Sequence, residues 1–137
     1  MVVVVEKNGV EGNNVVKLKL FIKMEHYNSF KLLVENYKIL PYPGRIFEHK
    51  IISNKSESSE YWVISSKEEK DEVLIETASG LIPESLIKYD VSDYLSVDTF
   101  QDIIDNLLDN NPQISINDTE AVNEAINHYL EYDDFLY

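Results

Sequence analysis

The best-spaced set of groups that could perform chemistry is Glu124, His128 and Glu131, which are four and three residues apart. On a helix these intervals place the three side chains on one face, where carboxylates and imidazole can bind a divalent metal. One helix supplies only part of a coordination shell, and helix surfaces often carry such groups by chance. A metal-dependent enzyme is therefore the weakest of three hypotheses, and we predict no metal and no cofactor.

Other catalytic patterns are missing from the sequence. There is no cysteine, and the four glycines form no phosphate-binding loop. The sequence contains neither a nucleophile elbow nor a zincin helix. His49 lies between Phe47 and Ile51 on one face of a predicted strand, which is typical of a core-edge histidine with one hydrogen bond. We therefore predict that the protein is not an enzyme.

The strongest chemical signal is an uneven distribution of charge. Residues 1–88 contain all 12 Lys and Arg residues together with 13 Asp and Glu residues. Residues 89–137 contain 12 Asp and Glu residues and no Lys or Arg, so they carry almost all of the net charge of −13. This charge disfavours direct binding to nucleic acid or to an anionic membrane and favours a basic protein partner.

The first acidic helix is predicted to begin at Ser96 or Asp98 and to end near Asn110, before Pro112. Its apolar face comprises Phe100, Ile103, Ile104, Leu107 and Leu108. At about 100° per residue, four carboxylates fall within roughly 60° of one another on the opposite side. They are Asp98, Asp102, Asp105 and Asp109.

A second acidic helix is predicted to follow a cap at Asn117 or Asp118, after a short edge strand at Gln113–Ile116. Its apolar positions are Val122, Ala125, Ile126, Tyr129 and Leu130. The remaining predicted partner-binding residues lie on this helix and in the segment after it, where acids alternate with large apolar groups as in interface hot spots. They are Glu120, Glu124, Glu131, Tyr132, Asp133, Asp134, Phe135 and Tyr137.

The first two thirds of the chain must supply the scaffold for these helices. Period-two alternation predicts strands, whereas Met24–Tyr37 has the spacing of a helix. Polar turns between successive strands predict an antiparallel meander that Gly80 closes, then a helical turn from Pro83 to Leu86 and a connector from Tyr89 to Leu95. The predicted strands are Val2–Glu6, Asn14–Lys23, Ile46–Ser53, Tyr61–Ser66 and Glu72–Thr77, with turns at Asn8–Asn13, Asn54–Ser59 and Lys67–Asp71.

These elements predict an α+β fold with a mostly antiparallel sheet of about five strands, one helix after the first strand pair and two acidic helices at the C-terminus. At 137 residues we expect a single domain, with a charge-balanced sheet-rich part at 1–88 and an acidic helical part at 89–137. No apolar run approaches the ~20 residues that span a bilayer. The opening Met1–Val5 lacks the features of a signal peptide. We expect a cytoplasmic protein.

The leading functional hypothesis is a stoichiometric inhibitor whose acidic helices cover a basic surface of a nuclease or nucleic-acid-binding protein. Immunity proteins and virus-encoded inhibitors of host defence act in this way, an analogy from charge and size alone. The first acidic helix shows four charges over about 16 Å of its length. This linear charge density is less than half that of duplex DNA, which has one charge per ~1.7 Å. Occlusion of a basic groove is therefore favoured over a faithful mimic of DNA. The alternative is a scaffolding or oligomeric adaptor subunit, for example a homodimer, with a merely solubilising acidic face.

Overall fold

A computed structural model describes residues 3–5, 22–54 and 56–136 of the chain. Its strands are β1 (Val3–Val5), β2 (Ile22–Tyr27), β3 (Gly44–Ser53), β4 (Ser56–Ser65), β5 (Leu74–Thr77), β6 (Gly80–Pro83) and β7 (Ser92–Ser96). Its α-helices are α1 (Phe30–Glu35), α2 (Ser66–Glu69), α3 (Val97–Asn110) and α4 (Thr119–Tyr132). Two 3-10 helices cover Tyr37–Ile39 and Glu84–Tyr89. The α+β prediction, with two helices at the C-terminal end, is confirmed.

The main sheet has the order β1-β2-β4-β3-β7, and a separate two-stranded sheet contains β5 and β6. The pairs from β2 to β7 are antiparallel, whereas β1 is parallel to β2. The prediction of a mostly antiparallel sheet is therefore confirmed.

The main sheet separates two apolar clusters because successive side chains of a strand point to opposite faces. On β4, Tyr61 and Val63 belong to the cluster under α1, α3 and α4. Trp62 and Ile64 belong to the other cluster, with Ile82 of β6. The helices of the acidic part therefore pack on one face of the sheet, and the small β5–β6 sheet packs on the other.

The strands β3 and β4 form a hairpin that extends past its neighbours. The pairing of β2 with β4 reaches only Tyr61, and the pairing of β7 with β3 reaches only Glu48. Beyond these residues β3 and β4 pair with each other up to Ser53 and Ser56. We call the described residues His49–Asn54 and Ser56–Glu60 the hairpin arm. Within the described residues, the arm has no further strand beside it.

Both long helices begin where the sequence predicts, because each has a capping side chain. Ser96 Oγ accepts a hydrogen bond from the Thr99 amide, at 3.4 Å, at the start of α3. Asp118 Oδ1 accepts one from the Ala121 amide, at 3.0 Å, at the start of α4. Of the two predicted caps for α4, Asp118 is the one used.

The helix predicted at Met24–Tyr37 is wrong in its first part. Met24–Tyr27 belong to β2 and pair with Ile64–Tyr61 of β4. The α-helix begins only after Ser29, whose side chain accepts a hydrogen bond from the Leu32 amide. Strand pairing with β4 outweighs the local helical spacing, because backbone hydrogen bonds to a distant strand are invisible in a short window.

The predicted meander is confirmed for its first two strands, because β3 and β4 are antiparallel neighbours, and it is wrong for the third. The strand β5 does not join β4 but pairs with β6, which begins at Gly80, so Gly80 does not close the sheet region. The predicted connector Tyr89–Leu95 contains most of β7, which pairs with β3. Leu95 is buried in the cluster under α1, α3 and α4, and this tertiary contact explains why a segment of weak local pattern becomes a strand.

Two further boundaries differ from the predictions. The predicted loop Asn54–Ser59 is shorter, because β4 begins at Ser56 and Asn54 adopts a positive φ of 54°. The predicted edge strand Gln113–Ile116 is not a strand but a series of turns, in which Ile114 packs on the helix-side cluster.

Part of the N-terminal prediction lies outside the described residues. This applies to the turn Asn8–Asn13 and to most of the strand Asn14–Lys23, of which only the last two residues are described, at the start of β2. In the described part of the chain, no helix is long and apolar enough to cross a membrane.

Candidate partner-binding surface

Four exposed carboxylates line the outer side of α3. The opposite side of the helix is buried, with Phe100 and Ile104 fully inaccessible to solvent. Burial of this apolar face fixes the rotation of the helix and therefore points the acidic side outward. We call these four residues the α3 stripe: Asp98, Asp102, Asp105 and Asp109, all of which are exposed.

A buried tyrosine borders the α3 stripe on one side. The hydroxyl of Tyr37 donates a hydrogen bond of 2.8 Å to Asp105 Oδ1. Burial raises the pKa of Tyr37 above its usual value, and the carboxylates of Asp105 and Asp109 raise it further, because an anion disfavours ionisation of the phenol. The stripe is thus attached to the 3-10 helix Tyr37–Ile39.

A second tyrosine, Tyr129 of α4, borders the other side. Desolvation raises the pKa of Tyr129, and the carboxylate of Asp133 adds to the effect, followed by those of Asp102 and Asp98. The helices α3 and α4 are in contact with each other. The structure therefore brings the two predicted acidic regions together.

The outward face of α4 continues the acidic surface. Val122, Ala125 and Ile126 are buried, whereas the three glutamates on the opposite side are exposed. At about 100° per residue these glutamates fall within roughly 40° of one another. We call them the α4 stripe: Glu120, Glu124 and Glu131.

The C-terminal segment is partly docked on the domain. Tyr132 is 61% exposed, and Asp133 ends α4 in the left-handed conformation, with φ of 54°. Asp134 Oδ1 accepts a hydrogen bond from the Phe135 amide. The Phe135 ring is half-buried against Tyr129, with their centroids 5.6 Å apart. Tyr137 lies outside the described residues.

No cation neutralises either stripe within the described part of the chain. The ion pairs there join Arg45 to Asp93 and Lys50 to Glu57, and His26 Nε2 lies 3.4 Å from a carboxylate oxygen of Glu60. Among the described residues, no three His, Cys, Asp or Glu side chains are grouped as a metal site, so His128 is not brought into one with its acidic neighbours. An acidic surface without local cations attracts cationic surfaces electrostatically.

A groove between the hairpin arm and α4 was not predicted. Its volume is about 710 Å³. It is lined by Phe30, Glu48, Lys50, Glu57, Ser58, Ser59, Tyr61, Asp93, Tyr94, Thr119, Glu120, Asn123, Asn127 and Leu130. These residues come from segments far apart in the sequence, so the groove could not be predicted from a local pattern. The one signal in the sequence is the alternation of polar side chains along β3 and β4, which indicates that one face of these strands is exposed to solvent.

No protein-family model matches this chain, and neither a curated protein nor a solved structure matches it significantly.

Proposed function

We propose that the protein is a stoichiometric inhibitor that binds a basic surface of another protein through the α3 and α4 stripes. The partner would be a nuclease or another nucleic-acid-binding protein, whose natural ligand is also a polyanion. The observation that supports this most is the exposure of both stripes with no cationic partner among the described residues.

The internal energetics of α3 point in the same direction. Asp98 and Asp102 are four residues apart, as are Asp105 and Asp109. Like charges at this spacing destabilise a helix by about 0.2–0.5 kcal/mol per pair. A basic partner removes this repulsion on binding and is attracted at long range, so association is steered electrostatically and weakens with salt.

The apolar groups at the end of α4 would contribute the short-range part of the interface. Tyr132 is the most exposed of them, whereas Phe135 is already half-buried. We therefore expect Tyr132 to act as the main aromatic anchor, because a side chain that is still exposed has the most surface left to bury.

The test is capture of the partner from a native lysate at low salt, followed by elution with increasing NaCl. The stripe variant D98N/D102N/D105N/D109N removes four charges while an amide oxygen remains at position 105 for Tyr37. The matched control E35Q/D71N/E76Q/E84Q removes four charges from exposed side chains elsewhere.

A single basic protein that elutes with salt, that the control variant retains and that the stripe variant loses would support the proposal. If the stripe variant and the control variant lost capture to the same extent, only the net charge of the protein would matter. If both captured the partner as well as the wild type, the stripes would not be the interface. Affinity that does not change between low and high salt would exclude the stripes as the interface.

A scaffolding or adaptor subunit is the second candidate, and an exposed apolar patch favours it. Leu74 is 40% exposed and Leu81 is 53% exposed, and the strand register places both on one face of the β5–β6 sheet. Sedimentation of the wild-type chain and of a L74S/L81S variant tests this candidate. Oligomers that persist in high salt and dissociate in this variant would favour the scaffold over the inhibitor.

A further inference from the structure

We propose that the groove between the hairpin arm and α4 receives an arginine side chain of the basic partner. This inference rests on the proposed inhibitor function and adds to it a defined pocket and a defined partner residue.

The floor of the groove is aromatic. The ring centroids of Phe30 and Tyr61 are 6.1 Å apart, and those of Tyr61 and Tyr94 are 5.4 Å apart. All three rings line the groove. The faces of such rings attract cations, and a planar guanidinium can also stack on them.

Hydrogen-bond acceptors stand directly beside this floor. Glu48 and Tyr61 are opposite each other on the paired strands, and the Tyr61 hydroxyl donates a 3.0 Å hydrogen bond to Glu48 Oε2. The other carboxylate oxygen, Oε1, has no protein donor in the described part of the chain. The hydroxyl of Tyr94 likewise has no hydrogen-bond partner among the described residues. Burial raises the pKa of this hydroxyl well above its usual value, so it stays protonated. Both groups can therefore accept a donor from a ligand.

The charges around the groove leave an excess of carboxylate. Asp93 is neutralised by Arg45, whose Nη1 lies 2.8 Å and 3.0 Å from its two oxygens. Lys50 lies 4.0 Å from Glu57, and both are largely exposed. Among the described residues, no cation pairs with Glu48 or with Glu120.

Arginine fits this lining better than lysine does. A guanidinium offers five donors in one plane, whereas an ammonium offers three around a point charge. The lining supplies acceptors on both walls, with Glu48 on the sheet and Asn123 and Asn127 on α4. A planar guanidinium can stack on the aromatic floor and, at the same time, donate hydrogen bonds to these acceptors.

The position of the groove indicates a partner side chain as the source of the guanidinium. Glu120 belongs both to the lining of the groove and to the α4 stripe. A partner that lies on the stripes therefore reaches the mouth of the groove without a break in the acidic surface. The volume of about 710 Å³ leaves room for backbone on either side of the arginine.

The probe for the test is N-acetyl-arginine methylamide, with the citrulline and lysine analogues as controls. Citrulline keeps the shape of arginine without its charge. Amide NMR shifts of isotope-labelled protein report the site. We expect saturable shifts at Tyr61, Tyr94, Asn123 and Asn127 with the arginine probe, weaker binding of the lysine probe and none of the citrulline probe.

The diagnostic variant is Glu48→Gln, which keeps an acceptor for Tyr61 and removes the charge. We expect its affinity for the arginine probe to fall on the order of tenfold, because a charge-assisted hydrogen bond is lost. Glu76→Gln, on the opposite side of the sheet, should leave the affinity unchanged. Equal binding of the citrulline probe, or no effect of Glu48→Gln, would overturn the proposal.

The same variants distinguish this inference from the proposed function. The α3 stripe variant should lose the protein partner but keep the arginine probe. If wild-type and Glu48→Gln proteins capture the partner with equal affinity, the inhibitor stands and the groove assignment is wrong. If the probe binds in the groove and no basic protein is captured, the groove remains an arginine site and the inhibitor function is rejected.

Discussion

The Tyr37 hydroxyl donates to Asp105 Oδ1 at 2.8 Å, and this hydrogen bond joins residues that are 68 positions apart. One end of the bond is a buried ring of the scaffold, and the other is an exposed carboxylate of the α3 stripe. Asp105 is therefore a member of the α3 stripe that we propose binds the partner, and it also accepts a hydrogen bond that we expect to stabilise the fold.

The first prediction concerns this hydrogen bond. Tyr37→Phe removes the donor and keeps the ring, so the free energy of unfolding should fall by about 0.5–1.5 kcal/mol. Urea denaturation at neutral pH measures the change. The control is Tyr42→Phe, because Tyr42 is 66% exposed and should change stability by less than about 0.5 kcal/mol. Equal effects of the two variants would show that the bond contributes nothing.

The second prediction is that a stripe carboxylate opposes folding while it favours binding. Asp102 has an acid four residues before it and another three residues after it. Asp102→Asn should therefore raise the free energy of unfolding by about 0.2–0.5 kcal/mol at low salt, and the gain should shrink at high salt. Asp98→Asn is the comparison, because Asp98 is in the first turn, where the helix dipole favours its charge. A loss of stability in Asp102→Asn would contradict this account.

The third prediction separates the two candidate caps of α4. Asp118→Ala should lower the free energy of unfolding by about 1 kcal/mol, because the Ala121 amide loses its acceptor. Asn117→Ala should have little effect, since its side chain does not cap the helix. Chemical denaturation of the two variants under identical conditions provides the measurement. The reverse order of stabilities would move the cap by one residue.

The fourth prediction concerns alkaline pH. Desolvation is the main cause that raises the pKa values of Tyr27, Tyr61 and Tyr94, and nearby carboxylates add to it, Glu25 for Tyr27 and Glu48 for Tyr61 and Tyr94. A group whose folded pKa is raised holds its proton more tightly in the native state, so its contribution to stability is complete below the unfolded pKa of about 10. That contribution is lost as pH rises above this value towards the folded pKa.

Stability should therefore decrease with pH above about 10, and tyrosinate absorbance should appear in two stages. Exposed rings should ionise first, and the buried ones should ionise together with the loss of circular dichroism. Tyr61→Phe should make the decrease shallower. If all tyrosinate absorbance appears while the fold remains intact, the burial of these hydroxyls would be contradicted.

The starts of α3 and α4, and the end of α3, could be predicted closely from the sequence. Each helix has an uninterrupted apolar period and a capping side chain, Ser96 or Asp118, and both signals are local. The orientation of the α3 stripe followed, because the buried face determines the exposed one. That this surface lies beside α4 could not be predicted, because the contact depends on how both helices pack on the sheet.

The prediction of a helix in place of the strand β2 was wrong for a different reason. Tyr27, Phe30 and Val34 have helical spacing, although the first belongs to a strand and the other two to α1. Only pairing with β4 decides between the two states at Tyr27. The groove was missed for a similar reason, because the pairing of Glu48 with Tyr61 is a matter of register, which the sequence pattern alone did not specify.

The hairpin arm has a mechanical consequence. It is a two-stranded ribbon held at one end, where β2 and β7 stop, and its edges are bare among the described residues. A ribbon fixed in this way bends most easily about its base, near Glu48 and Tyr61, and its backbone hydrogen bonds are less protected than those of the sheet behind it. The arm forms one wall of the groove. Bending of the arm therefore changes the width of the groove, and a bound ligand can adjust this width while the core stays in place.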